Sequence, residues 1–417
     1  MTLRLISLLE SISAGDVSSE DAINLYYDNI LNNEGLSAWV TLASRDDVLN
    51  RYRENKTFYD KSVLKGLPFG VKDVIDTSGI KTSSGSPIYA DRVPFSDAVC
   101  VMKLKAAGGQ VVGKTVTTEF ACFHPGPTLN PYDLDCTPGG SSSGSAVAVT
   151  TNMVPFALGT QTAASIVRPA SYCGTYAYVA SVGEISLRGV QPLSQSCDTL
   201  GFFCNDVLGL KLLRSILTDN KISVDLKRSS QKKFCVVGSD ILGPVDDEME
   251  RAVNKFSKKL MAKGLCEVDF EPVVDVESLS EAHKVVMAYE VSRNFHYEYC
   301  FPEQLSERFL EIMDFGFSIS HNDYEKARNF VFFEKVKLVD FMRHVDFLLC
   351  PASEGVAPRG VHNTGSPHMS RAWQILGLPV VVLPAEFYQG MPMGIQMIGR
   401  PYSDDELMDM ALYVAGG

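Results

Sequence analysis

Three polar residues in apolar or glycine-rich surroundings have the types and spacing to do chemistry. They are Lys72 in GLPFGVKDVID, Ser141 in TPGGSSSGSAVAV and Ser165 in LGTQTAASIVRPASYCG. A serine hydroxyl becomes a competent nucleophile when a neighbouring base takes its proton, and a lysine amine can be that base once it is uncharged. Lys72 stands among Phe69, Val71, Val74 and Ile75. Burial among such neighbours disfavours the ammonium form and can lower a lysine pKa by up to ~3–5 units. The Gly/Ser run at 137–149 has the composition of a flexible linker. It runs directly into Ala146, Val147, Ala148 and Val149 and on to VPFALG, so it belongs to the core. Taken singly, each residue has an ordinary reading, the serines as turn formers and Lys72 beside Asp73 as a paired surface charge.

Two shorter patterns compete. Gly108, Gly113, Lys114 and Thr115 satisfy G-x-x-x-x-G-K-[ST] by the letter, but a phosphate loop needs a strand before its first glycine. Here AVCVMKLKAA reads as helix and VVGKT as the end of a strand. Gly140, Ser142 and Gly144 match G-x-S-x-G, which needs a strand feeding the serine. NPYDLDCTPGG is instead a loop by its turn residues. The histidines available to such an elbow, His344 beside Asp346 or His362 and His368, stand in no telling context.

The elements that must hold these residues read as α/β. Residues 3–32 form two amphipathic helices, the second starting at Ser18–Ser19, and residues 1–60 are expected outside the core. FCVVG (234–238) is followed by a helix with Met249, Val253, Phe256 and Leu260 on one face and then by CEVDFEPV, a strand–helix–strand order. DFLLCP (346–351), LPVVVLP (378–384) and GIQMIG (394–399) read as buried strands. The 417 residues, 45% hydrophobic, suffice for a large core, and no repeat or composition break marks a second domain. The stretch 205–345, richer in charge and aromatics, is expected to shape the substrate site.

A net charge of −12 repels phosphates and anionic lipid, so neither nucleic acid nor membrane surface is expected as a partner. The one basic cluster, KRSSQKK at 227–233, reads as a solvated connection. Ten scattered cysteines without a Cys-x-x-Cys pair, and seven histidines at no ligand spacing, indicate neither a metal site nor a disulfide framework. Reduced thiols fit a cytoplasmic protein. No secretory leader is read in MTLRLISLLESISAGD, and no apolar run reaches the ~18 residues of a membrane span.

From GDVSSEDAI and LSAWVTL through the three motifs to GLPVVVLPAEFYQGMPMGIQMIGRPYSDDEL, nearly the whole chain resembles the amidase signature family. The motifs stand in its order and at its intervals. The resemblance implies a single α/β domain over 1–417 around a mixed, twisted sheet. It also implies an amide hydrolase without cofactor or metal that works through an acyl-enzyme: Ser165 as nucleophile, Ser141 as bridging serine behind a cis peptide bond, Lys72 as base. The oxyanion hole falls to backbone N–H groups of Thr162, Ala163, Ala164 and Ser165. Family members usually carry Gly-Gly or Ala-Gly where Ala163 and Ala164 stand. Either φ is negative there or the hole is narrowed.

The order Ser165, Ile166, Val167, Arg168, Pro169 resembles the malonamidase branch of small-amide hydrolases. It leaves two roles open for Arg168: pairing with a substrate carboxylate, or bonding carbonyls beneath the site. Gly140 is expected to contact substrate and Trp373, in TGSPHMSRAW, to form a pocket wall. The expected partner is a small-molecule amide, with a homodimer through the N-terminal helices. Two other readings stand beside this one. A glutamyl-tRNA amidotransferase A-like subunit is disfavoured by the shifted arginine, the absence of a basic face and the end of the chain at Gly417. A weakened member that only binds is motivated by Ala163 and Ala164.

Overall fold

The protein is described by a computed structural model covering residues 4–220 and 232–416. Its frame is a mixed sheet of eleven strands in chain order: β1 (Trp39–Leu42), β2 (Pro68–Lys72), β3 (Gln110–Thr115), β4 (Phe156–Gln161), β5 (Tyr176–Val179), β6 (Thr199–Cys204), β7 (Lys233–Val236), β8 (Cys266–Glu267), β9 (Phe347–Pro351), β10 (Val380–Tyr388) and β11 (Met391–Ile398). In space they run β1-β3-β2-β4-β6-β5-β10-β11-β9-β7-β8. β2 pairs parallel with both β3 and β4, and β7 parallel with β8 and β9; the remaining pairs are antiparallel. The expected single α/β domain with a mixed sheet is what forms.

β2, β3, β4, β6, β9 and β11 are buried along their whole length because helices cover both faces of the sheet. Successive residues feed opposite cores. Phe156 and Leu158 join one apolar cluster with Phe69 and Phe202, while Ala157 joins a second with Val112 and Phe203. Val381 and Leu383 alternate with Val380 and Val382 in the same way.

The strands anticipated near 234, 346, 378 and 394 form with boundaries shifted by a few residues. The helix Asp247–Ala262 buries Met249, Val253, Phe256 and Leu260 on one side. VVGKT closes β3, and the residues before it form the helix Val99–Ala106. Lys114 donates to the hydroxyl of Thr82 at 2.9 Å and to the carbonyl of Ile75 inside the core, so no phosphate cradle forms there. Of KRSSQKK, residues 227–231 lie outside the described residues, while Lys232 pairs with Asp346 at 2.7 Å.

The N-terminal segment differs from expectation. The helices Leu5–Ala14 and Ser19–Asn32 do form, the second capped by Ser18, whose hydroxyl accepts from Asp21 N at 3.0 Å. They are not outside the core: Leu5, Leu8, Leu9 and Tyr26 are buried in one main cluster and Ile23, Tyr27 and Ile30 in the other. The physical reason is tertiary packing: Leu5–Ala14 lies against the helix Val207–Thr218 and Ser19–Asn32 against the helix Arg45–Glu54, and each buries its apolar side there. Residues 1–60 also supply β1, an edge strand too short and too evenly half-exposed for its pattern to be read in advance.

Among the described residues no helix is long and apolar enough to cross a membrane, and all ten cysteines are unpaired.

Candidate active site

Lys72 is the last residue of β2, and Thr160 lies near the end of its parallel neighbour β4. The carboxyl ends of parallel strands are where α/β sheets present functional groups, and both side chains meet there. Lys72 is wholly buried. Its Nζ lies 2.6 Å from Ser141 Oγ, 2.9 Å from Thr160 Oγ1 and 3.4 Å from the Thr160 carbonyl. Burial holds the lysine pKa well below its ordinary 10.5; the negative charge of Asp198 opposes that shift. Asp198 is itself raised to about 7 by burial, against the hydrogen bonds from Thr162, Leu193 and Ser194.

Ser141 reaches Lys72 from the loop ahead of the helix Ser143–Thr150, after a cis Gly140–Ser141 peptide bond. The glycines around it have specific tasks. Gly139 takes φ +81°, a region disfavoured for other residues. A Cβ on Gly144 would sit 2.3 Å from the Ala38 carbonyl and 2.4 Å from Val116 N. The run is therefore a closely packed segment between β3 and the following helix, which answers the linker reading. Ser142, the centre of the G-x-S-x-G pattern, is fully buried with its hydroxyl on the Thr160 carbonyl at 3.3 Å. It follows a loop, and no nucleophile elbow forms.

Ser165 sits between β4 and the helix Val167–Cys173 and lines, with Ser141, a narrow cavity. The loops carrying the two serines are tied by Ser142 N donating to the Ser165 carbonyl at 3.1 Å. The hydroxyl of Ser165 itself takes no protein partner among the described residues, so its link to Ser141 is an expectation. Thr162, Ala163 and Ala164 line the same cavity. The backbone N–H groups of Ala163, Ala164 and Ser165 find no backbone acceptor among the described residues. Neither Ala163 nor Ala164 has positive φ, so an alanine methyl is accommodated there without backbone strain.

Arg168 lies one turn beyond Ser165, 4% exposed, and lines the cavity. Its Nη2 donates to the Gly140 carbonyl at 2.7 Å and to Thr364 Oγ1 at 2.9 Å, while Nε and Nη1 have no partner. Burial lowers its pKa to about 10. Gly140 thus serves as an acceptor for Arg168, and a Cβ there would stand 2.7 Å from Thr364 Cγ2.

Trp373 is a correction. It is 1% exposed in the core on the helix His368–Ile375 and does not line the cavity. The apolar face of that helix packs inward against the sheet and carries the indole with it. The wall is instead built by Cys122, Leu193 and Met287. Met287 comes from the helix Val276–Asn294, inside the 205–345 stretch.

Sequence reasoning also missed Gln161. Its side-chain oxygen accepts from the backbone N–H groups of Ile166 and Val167 at 2.9 and 3.0 Å, and its amide donates to Gln374 at 2.8 Å. A buried amide bridging two distant segments leaves no local pattern in the sequence.

The Amidase family model matches residues 21–408. Among curated proteins, the A-type subunit of glutamyl-tRNA(Gln) amidotransferase from Sulfolobus acidocaldarius is 27% identical, over 97% of this chain and 96% of its own length. Its counterpart from Persephonella marina is 29% identical over 84% of this chain and 82% of its own length. A crystal structure of an amidase superposes with TM-score 0.90 at 25% identity, covering 99% of both chains. The A-type subunit of glutamyl-tRNA(Gln) amidotransferase from Thermotoga maritima superposes with TM-score 0.81 at 25% identity, over 98% of this chain and 93% of that one. With the family match spanning almost the whole sequence and a solved amidase sharing its fold end to end, the chain belongs to the Amidase family.

Proposed function

We propose that this protein hydrolyses the C–N bond of a small amide, with Ser165 as nucleophile, Ser141 as bridge and Lys72 as base. The observation that carries the reading is Lys72: a fully buried amine, depressed in pKa, in hydrogen-bond contact with one cavity serine. An uncharged amine has two N–H donors and one lone pair. The two oxygens of Thr160 accept the donors, and the lone pair is left for the Ser141 hydroxyl.

In this scheme Ser165 Oγ bonds to the amide carbon as its proton passes to Ser141 Oγ, while the Ser141 proton passes to Lys72 Nζ. The carbonyl π electrons move onto oxygen, facing the N–H groups of Ala163, Ala164 and Ser165. Collapse expels the amine, which takes a proton back along the same path. Water then repeats the sequence on the acyl-enzyme and releases the acid.

Arg168 gives the substrate a second anchor. A buried guanidinium with two unpartnered nitrogens and, among the described residues, no carboxylate within ion-pair distance favours an anionic ligand. A planar fork suits a carboxylate. Its bonds to Gly140 and Thr364 hold it in place, so both roles foreseen for it are combined. A cavity this narrow, walled by Cys122, Leu193 and Met287, suits a short half-amide of a dicarboxylic acid. Arg168→Leu is expected to raise KM roughly 10-fold or more for half-amides and to leave neutral amides nearly unchanged, measured by ammonia release. Equal effects on both classes would refute the carboxylate role.

The pH dependence has a definite sign. Lys72 acts when unprotonated, so kcat/KM falls as pH drops through its lowered pKa and holds level above it. The acid limb should lie well below 10.5. A rate that climbs steadily up to the ordinary lysine range would show that the base is not this buried amine.

The relatives that are glutamyl-tRNA(Gln) amidotransferase subunits favour a second reading, an A-like subunit working with partners. Ammonia release across half-amides, neutral amides, ureas and aryl amides decides between them. Turnover of half-amides by the isolated chain supports the hydrolase. Inertness toward the whole panel, with amidation of glutamyl-tRNA once partner proteins are added, supports the amidotransferase role.

A further inference from the structure

Thr162, at the start of the loop that carries Ser165, is held from two sides. Its hydroxyl donates to Asp198 Oδ1 at 2.6 Å, and its carbonyl lies 2.7 Å from His283 Nε2. His283 projects from the helix Val276–Asn294, is wholly buried, and does not line the cavity. Its other ring nitrogen, Nδ1, is 3.0 Å from Arg371 Nη1.

These contacts fix the tautomer. A guanidinium offers donors only, so Nδ1 must accept, and the single proton of the neutral ring sits on Nε2, where it donates to the Thr162 carbonyl. Burial and the adjacent Arg371 charge push the His283 pKa down to about 3, so the ring keeps this state across neutral pH. The Thr162–Ala163 peptide is trans, and in a trans peptide the C=O and N–H point in opposite directions. A donor on the Thr162 carbonyl therefore turns the Ala163 N–H away from His283. That N–H finds no backbone acceptor among the described residues, and Ala163 lines the cavity. Hydrogen bonding at the carbonyl also polarises the amide and strengthens its N–H as a donor.

We propose that His283, locked by Arg371, is a positioning residue that aims and strengthens the Ala163 N–H toward the developing oxyanion. The proposal rests on the hydrolase reading above. Nothing in the local sequence EAHKVV marks His283 for this role, because its partners lie on a different helix and a distant loop.

The test uses a fluorophosphonate, whose phosphoryl oxygen would occupy the same hole when Ser165 attacks phosphorus. Labelling rates are measured for wild type and for His283→Leu, His283→Gln and His283→Asn, with melting temperature followed in parallel. Gln can place an amide N–H near the Nε2 position, whereas Asn reaches only to the Nδ1 position. The expected result is maximal labelling slowed about 10-fold to 100-fold in the Leu and Asn variants, with half-saturating probe concentration little changed and the rate largely restored in Gln. If His283→Leu does not fold, the Gln–Asn comparison still decides. Equal rates in Gln and Asn, or a Leu variant that labels like wild type, would overturn the proposal. Failure of the wild type to label would instead overturn the hydrolase reading, so the two failures are distinguishable.

Discussion

Ser165→Ala is expected to abolish amide turnover, by roughly 10⁵-fold to 10⁶-fold, in line with the loss of the nucleophile in other serine enzymes. It should leave the chain folded and able to bind substrate. The hydroxyl has no protein partner among the described residues, so its removal breaks no structural hydrogen bond. Ser165 N–H and carbonyl remain in place, the latter held by Ser142 N. The variant should also escape fluorophosphonate labelling that the wild type undergoes. Labelling or turnover that survives the substitution would remove Ser165 from the mechanism.

Lys72→Met is expected to lower kcat by about 10²-fold to 10⁴-fold, the usual contribution of a general base, and at the same time to stabilise the fold. The sign of the stability effect follows from the depressed pKa. Between the lowered folded pKa and the ordinary 10.5, the unfolded chain binds a proton at Lys72 that the folded chain does not. Stability therefore rises with pH across that window, and at neutral pH the lysine opposes folding. Methionine has nearly the same length and no ionisable group, so it fills the site without that cost. It does forfeit the bonds to Ser141 and Thr160. Thermal unfolding at neutral pH should give a melting temperature equal to or above that of wild type, alongside the activity loss. A variant that is both nearly fully active and unchanged in its pH profile would end the base assignment. A large drop in melting temperature would show instead that the lysine is a structural tie. The combination expected here, lost rate with retained or higher stability, is the usual signature of a strained catalytic group.

Much of the site was legible because its residues are unusual for their surroundings. Lys72 inside a strand-like apolar run and a Gly/Ser stretch passing directly into Ala146–Val149 both conflict with the plain readings of lysine and of a linker, and such conflicts gather at functional sites. The strands were legible where they are buried on both faces, as in LLC of β9 and VVVL of β10. β1 was not, because a short edge strand with half-exposed side chains carries little pattern. Trp373 was misplaced for a related reason: a large aromatic on an amphipathic helix can serve a core or a pocket equally well, and the choice depends on which side of the helix meets the sheet.

The sequence by itself determined the α/β class, the order of the three motifs, and the chemistry their residue types allow, since hydrophobic periodicity and side-chain reactivity are local properties. Tertiary structure alone decided that Lys72 meets Ser141 and Thr160, that Arg168 keeps two nitrogens free beside the cavity, and that Gln161, Asp198 and His283 grip the loop that carries Ser165. Apart from the short-range bonds of Gln161 to Ile166 and Val167, those relations join residues tens to hundreds of positions apart. They arise from strand pairing and helix packing, and a hydrogen bond across such a distance leaves no mark on the neighbours of either partner in the chain.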